Sequence, residues 1–373
     1  LDGAAPDAGG QDDGRVRLMR PESLTFLKRL LDTPGPSAFE AAPARVWRAE
    51  AERVADEVHV DVTGNSWATL HPDGAPRIML AGHMDEIGIM VSHVDDDGYL
   101  SFETIGGWDS QVFVGQRVVL LGRDGPVTGV VGKKAIHVMD KDEREKISKV
   151  EDLWIDIGAK SKASAQSRVS IGDVVTYMLG MTRLGEDFIA GAGLDNRVGA
   201  FVFMEALRLC AEKKAALKCA VYAVATVQEE IGLRGAHTST FGIDPKVGIA
   251  VDVCHASDNP GADKKIVGDV GLGRGPVISL GANINPAVGR MLLEAGKASD
   301  RPCQRHAAPG GTGTDANAIQ LSRAGVAAGL VSIPNRYMHT QVEMVSLSDL
   351  EQCAALLADF ILSIDDKTDF IPR

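Results

Sequence analysis

Apolar and polar positions follow two rhythms along the chain, and the rhythm changes twice. From Pro21 a helical spacing of apolar residues runs to Leu31, the Pro34-Gly-Pro-Ser break follows, and a second helical pattern covers about 40–54. Residues 59–62 and 67–70 flank Gly64-Asn65 and predict a hairpin, and 78–81 predicts the next strand. After Asp85 short strands joined by tight turns take over. Residues 87–94 and 99–104 flank Asp95-Asp96-Asp97-Gly98, while 117–121 and 127–131 flank Gly122-Arg123-Asp124-Gly125, and both read as hairpins. Residues 154–157 and 173–178 supply further strands, with no convincing helix, so a small β-barrel or sandwich is expected. The charged run 140–149 reads as an exposed, solvated loop.

From about residue 186 helices and strands alternate again. Helices are predicted over 198–213, 286–299, 315–324 and 348–364, the last opened by a Ser348/Glu351 capping box, and strands over 218–227, 247–251 and 276–280. The expected fold class is therefore α/β, a central mixed sheet with helices on both faces. One domain is formed from 16–85 and 180–373, and a β domain at 86–179 is inserted in it. Residues 1–15, rich in Gly, Ala and Asp without periodicity, are expected to be a disordered leader.

Composition narrows the function. The 373 residues are 45% hydrophobic, ample for one large core and a smaller one. A net charge of -12 with no basic cluster argues against nucleic-acid binding. No apolar run approaches the roughly 18 residues of a membrane span, and no charged-then-apolar signal segment opens the chain, so a cytoplasmic protein without membrane contact is expected. The five cysteines are scattered in apolar surroundings and read as reduced thiols packed as small hydrophobes.

Charge at strand ends is the chemical clue. Glu229 and Glu230 follow the uncharged run 219–227, where two carboxylates face a large desolvation penalty unless cations or proton chemistry accompany them. Metal-type side chains recur in the same kind of place. The run 78–81 leads into His83 and Asp85, 247–251 into Asp252, and 327–333 through Pro334-Asn-Arg-Tyr-Met to His339, while Asp195 lies just ahead of a helical pattern. Ligands of open α/β sheets collect outside the carboxyl ends of strands, so these residues can converge. Histidines mixed with carboxylates suit zinc, cobalt or manganese better than calcium. A paired site needs a bridging carboxylate, for which Asp195 is the choice.

The ordered motifs carry a resemblance. They are Pro34-Gly-Pro-Ser, Gly82-His-Met-Asp-Glu-Ile-Gly, Gly107-Trp-Asp, Leu194-Asp-Asn-Arg-Val-Gly, Val227-Gln-Glu-Glu-Ile-Gly-Leu-Arg-Gly-Ala, Asp252-Val, Gly313-Thr-Asp-Ala and Ile333-Pro-Asn-Arg-Tyr-Met-His. Nearly the whole chain past the leader resembles the di-zinc aminopeptidases of the glutamyl and deblocking aminopeptidase family, whose members form tetrahedral particles. The resemblance implies a zinc-exopeptidase-like fold and two divalent cations. His83 and Asp252 would hold one, Glu230 and His339 the other, and Asp195 would bridge them. Glu229 would be the general acid and base, and Asp85 would accept the second ring N–H of His83. It also implies peptide substrates and dimers, paired through the inserted β domain, that build a dodecamer. Asn196 and Thr340-Gln341 depart from the commonest family pattern without touching an expected ligand.

Other readings are weaker. A di-zinc dipeptidase or deacylase could use similar ligands. A cellulase-like glycosidase needs two carboxyls and no metal, so it has no use for the two histidines. Asp195 could cap its helix. His59, His71, His93, His237, His255 and His306 read as packed or surface residues, and His137 is left unassigned. Asp315 either caps the next helix or meets substrate, and Gly310–Thr314, lacking the Lys of a phosphate loop, reads as a turn that shapes a pocket.

Overall fold

The computed structural model describes residues 19–178 and 180–372. The expected leader at 1–15 lies outside the described residues. In chain order the strands are Glu57–Val60 (β1), Ser66–Leu70 (β2), Arg77–His83 (β3), Gly88–Val94 (β4), Leu100–Ile105 (β5), Arg117–Gly122 (β6), Gly125–Gly132 (β7), Trp154–Asp156 (β8) and Val174–Tyr177 (β9). After them come Thr182–Leu184 (β10), Phe188–Gly191 (β11), Ala220–Thr226 (β12), Val247–His255 (β13), Val277–Gly281 (β14), Gln304–Ala308 (β15), Ala327–Asn335 (β16) and Glu343–Ser346 (β17). The α-helices are Pro21–Leu31 (α1), Ala41–Ala51 (α2), Lys141–Arg144 (α3), Lys162–Gln166 (α4), Leu194–Glu212 (α5), Arg234–Ile243 (α6), Lys264–Val267 (α7), Pro286–Ala298 (α8), Asp315–Gln320 (α9) and Leu347–Leu362 (α10).

The main sheet has the order β1-β2-β12-β3-β13-β16-β14-β15. Its centre, β12-β3-β13-β16, is parallel, while β1, β2 and β14 join their inner neighbours antiparallel. Parallel strands are buried on both faces, which is why β12, β13 and β16 read as nearly continuous apolar runs. On one face Val251 and Val331 pack with Phe201 of α5, Leu292 of α8 and Leu357 of α10. On the other, Met79, Ala250 and Leu330 pack with Ile243 of α6 and Ile319 of α9. The expected α/β class with a central mixed sheet is thus the observed one.

The strands from Gly88 to Tyr177 close into a barrel in the order β4-β5-β8-β7-β6-β9 around Ile89, Phe102, Leu120, Ile155 and Val175. Both predicted hairpins are part of it. Closure leaves no open edge. A separate small sheet, β10-β11-β17, pairs the two strands that follow the barrel with the strand that leads into α10. No helix among the described residues is long and apolar enough to cross a membrane.

Several local expectations are corrected. β1 ends at Val60 because the Asp61 carboxylate accepts the N–H groups of Thr63, Gly64 and Asn65 and turns the chain. The stretch expected to lack helices holds α3, opened by a capping box of Asp140 and Glu143 inside the run expected to be a loop, and α4, capped by Ser161. Helix α9 stops at Gln320 instead of running to 324. The cap of α10 is Ser346, whose hydroxyl accepts the Asp349 N–H at 3.2 Å, because β17 runs directly into the helix. Ser348 is already helical there and bonds Asp187 instead.

Candidate metal centre

The four parallel strands end at one edge of the sheet, and each delivers part of one cluster. His83 is the last residue of β3, and Asp252 lies on β13 opposite Ser332 of β16. Glu229 and Glu230 follow β12 by a few residues, His339 follows β16, and Asp195 opens α5. Ligand atoms from His83, Asp195 and Asp252 lie within 4.8 Å of one another, and so do those from Asp195, Glu230 and His339. All of the sequence-predicted metal candidates therefore converge, in two groups that share Asp195.

Asp195 faces both histidines with different oxygens. Its Oδ1 is 3.1 Å from His83 Nε2 and its Oδ2 is 3.4 Å from His339 Nε2. His339 Nε2 is also 3.4 Å from Glu230, and His83 Nε2 lies 3.7 Å from Glu229 and 3.9 Å from Asp252. On the far side of the His83 ring, Nδ1 is 3.1 Å from the Asp85 carbonyl oxygen and 3.5 Å from the Asp85 carboxylate. A proton on Nδ1 facing that carbonyl leaves the Nε2 lone pair directed into the cluster.

The electrostatics fit a cation. Burial raises Glu229 to about 10, opposed by His83 and reinforced by Asp252, Asp315 and Glu230. Burial and Asp195 raise Glu230 to about 8, and burial lifts Asp252 well above the carboxylate range. Burial alone would lower His83, but Glu229, Asp195 and Asp85 push it well above its ordinary value. His339, hydrogen-bonded to Asp195, rises to about 9. Among the described residues no lysine or arginine lines the cleft beside these crowded, buried acids, which is the condition a divalent ion relieves.

A set of carboxylates around the cluster works through the main chain. Asp85 accepts the Ser37 hydroxyl at 2.6 Å and the N–H groups of Glu229 and Glu230 at 3.1 and 3.2 Å, so it holds the turn bearing both glutamates. Glu343, buried at the start of β17, accepts the N–H of Asp195 and that of His339, each at 2.9 Å. Glu40 accepts the N–H of Gln228, whose φ of 56° is left-handed. Sequence reasoning missed Glu343 and Glu40. A carboxylate opening the buried run 343–346 was the available signal for the first. Asp315 is not the cap of α9, since Thr314 caps it, and Asp315 accepts the Thr226 hydroxyl at 2.6 Å.

The cluster lies at one end of a cleft of 470 Å³. Thr312 to Thr314 line it, in keeping with a pocket-shaping turn, as do His255 and His306, which join neither ligand group. All five thiols are free, and Cys254, raised to about 12 by burial beside Asp252 and Asp349, also lines the cleft.

Comparisons with known proteins identify the family. The family model of M42 glutamyl aminopeptidase matches residues 64–356. A lysyl aminopeptidase of Pyrococcus furiosus is 40% identical over 352 residues, 93% of this chain and 99% of that protein. Among solved structures, a TET aminopeptidase from Thaumarchaeota archaeon SCGC AB-539-E09 superposes with a TM-score of 0.89 at 36% identity, over 93% of this chain and 97% of that one. The TET1 peptidase of Pyrococcus horikoshii, which can assemble into a tetrahedron or a large octahedral shell, has a TM-score of 0.81 at 29% identity, over 92% of this chain and 100% of that one. The chain belongs to the M42 glutamyl aminopeptidase family.

Proposed function

We propose that this chain is a metal-dependent aminopeptidase that releases N-terminal residues from peptides. The observation that carries the reading is the pair of ligand groups sharing Asp195, each of its oxygens facing a different histidine. His83 and Asp252 would hold one divalent cation, Glu230 and His339 a second, and Asp195 would bridge them. Nitrogen and oxygen donors without thiolate suit zinc, with cobalt or manganese as alternatives. When bound, such a pair polarises the scissile carbonyl and makes water acidic enough to lose a proton near neutrality.

Glu229 is the proton carrier in this reading. It lines the cleft, and Asp85 fixes its main chain. It takes the proton from the attacking water and returns it to the departing amine. Adjacent side chains diverge, so Glu230 can turn to the ligand group while Glu229 faces substrate. The free amino terminus of the peptide sits against the acidic end of the cleft, which limits cleavage to the first residue.

By extension from the tetrahedral Pyrococcus horikoshii relative, residues 86–179 act as a pairing unit inserted between 16–85 and 180–373, and pairs build a dodecamer. Exposed Ile136, Val138 and Ile147, in the connection between β7 and β8, support this. Sedimentation that finds only monomer at micromolar concentration removes that part.

The catalytic test compares wild type with Glu229→Gln for bound metal and for hydrolysis of aminoacyl p-nitroanilides. The variant is expected to keep its metal and lose activity by about 10²–10⁴-fold. Full activity in the variant would refute the assignment.

A further inference from the structure

The floor of the cleft is built from the sheet itself, and its chemistry bears on which side chains can enter. Asp252 lies opposite Ser332, and Val277 of β14 lies opposite the same serine. Continuing that antiparallel register sets Ser279 opposite Leu330, and the parallel pairing with β15 sets Ser279 beside His306. Paired residues project from one face of a sheet. Moving outward from Asp252, that face therefore carries Ser332, then Leu330 and Ser279, then His306, and all of them line the cleft. It is the face that α6 and α9 cover nearer the start of the strands, where Met79, Ala250 and Ala328 pack beneath them. Ser279, Ser332 and Leu330 are buried at the base, while Val267 and Val270, in the excursion after β13, form an apolar wall.

Charge is confined to the metal end. Apart from Asp195, Glu229, Glu230 and Asp252, no Asp, Glu, Lys or Arg among the described residues lines the cleft, and the only other ionisable groups there besides the ligand histidines are Cys254, His255 and His306. From β13 to β14 the floor spans two strand spacings, roughly 10 Å. That span along the floor is long enough for a lysine side chain, so length does not select against it. An ammonium carried past Ser332 and its neighbour Asp252, itself a proposed metal ligand, to the base would meet Leu330 and the Ser279 hydroxyl, with no further carboxylate lining that part of the cleft to pair it. A carboxylate would meet the same hydroxyl and the His306 ring beside it, with no lysine or arginine lining the cleft. A charge taken from water without a partner is strongly disfavoured, whereas an uncharged aliphatic or thioether chain gains by burial against Leu330, Val267 and Val270.

We propose that the sheet face running from Ser332 to Ser279 is the specificity surface of the cleft, and that it selects N-terminal residues with uncharged apolar side chains such as leucine and methionine. Lysine and glutamate are disfavoured. This rests on the aminopeptidase reading above. It also sets this chain apart from the lysyl activity named for its Pyrococcus furiosus relative and from the glutamyl activity in the family's description.

The test measures kcat/KM of the metal-loaded full chain on Leu-, Met-, Lys- and Glu-p-nitroanilide. Leucine and methionine are expected to exceed lysine and glutamate by about tenfold or more. Lysine or glutamate equal to or above leucine overturns the selectivity, while failure to cleave any of the four overturns the underlying aminopeptidase reading. Ser279→Asp then places a carboxylate at the base and should raise the Lys-to-Leu ratio by about tenfold or more. A folded Ser279→Asp with an unchanged ratio overturns the placement of Ser279 at the floor. Should that variant not fold, His306→Asp, on the same face at a less buried position, is expected to move the ratio the same way, and an unchanged ratio there counts equally against the proposal.

Discussion

The barrel and the carboxyl edge of the main sheet treat polar groups in opposite ways. Around the barrel core of Ile89, Phe102, Leu120 and Ile155, no charged residue between Gly88 and Tyr177 is buried among the described residues. At the sheet edge His83, Asp85, Asp195, Glu229, Asp252, Asp315 and Glu343 are all buried within one neighbourhood. Both regions fold on the same hydrophobic principle, but only one keeps charge where it destabilises the metal-free protein. Buried charge concentrated in one place marks the chemistry, and its absence from the barrel marks a packing and surface role.

That contrast can be broken most severely at Asp195. Asp195→Asn removes charge from both ligand groups, so metal content measured by atomic emission should fall at both sites. Activity should drop by more than the roughly 10–100-fold typical of changes beyond the direct ligands. Retention of both ions would dissolve the shared-carboxylate picture. Glu343→Gln comes next. It leaves every ligand in place but weakens the hold on the main chain of Asp195 and His339, and a loss of about 10–100-fold in activity or metal affinity is expected with the fold intact by circular dichroism. Smallest in catalytic terms is Phe102→Ala in the barrel, where Phe102 stacks edge-on to Phe113 at 5.5 Å between centroids. Denaturant unfolding should register about 3–5 kcal/mol lost, while kcat per folded molecule stays unchanged. A fall in kcat there would join two regions that are here held separate.

Much of this was legible in the sequence because buried parallel strands write themselves as uninterrupted apolar runs, and β3, β12, β13 and β16 each end on or shortly before a histidine or carboxylate. The barrel hairpins were legible from Asp95–Gly98 and the Gly122–Gly125 turn. Helix α6 was not, because Gly235, Thr238, Ser239 and Thr240 give it no apolar stripe, and it is held by packing of Ile243 against the sheet and α9. Glu343 was hidden for a different reason. It serves backbone N–H groups, one of them 148 positions away at Asp195, and no motif spacing encodes such a contact. The same applies to Glu40, which reaches Gln228 across 188 positions.

Asp195 is placed to join two cation sites, which calorimetric titration of zinc into the metal-free protein over a range of pH can resolve. Asp195 and Glu230 hold His339 protonated up to about 9, against an ordinary 6.5. That proton stabilises the metal-free fold below the ordinary value, and the contribution is lost as pH rises through about 9. A protonated imidazole cannot ligate, so zinc must displace this proton and those on His83, Glu230 and Asp252, and affinity should rise with pH through about 9 with proton release on binding. Wild type should take up two ions per chain and His339→Ala one, with that pH trend. A single ion in wild type, or two undiminished in both proteins, would contradict it.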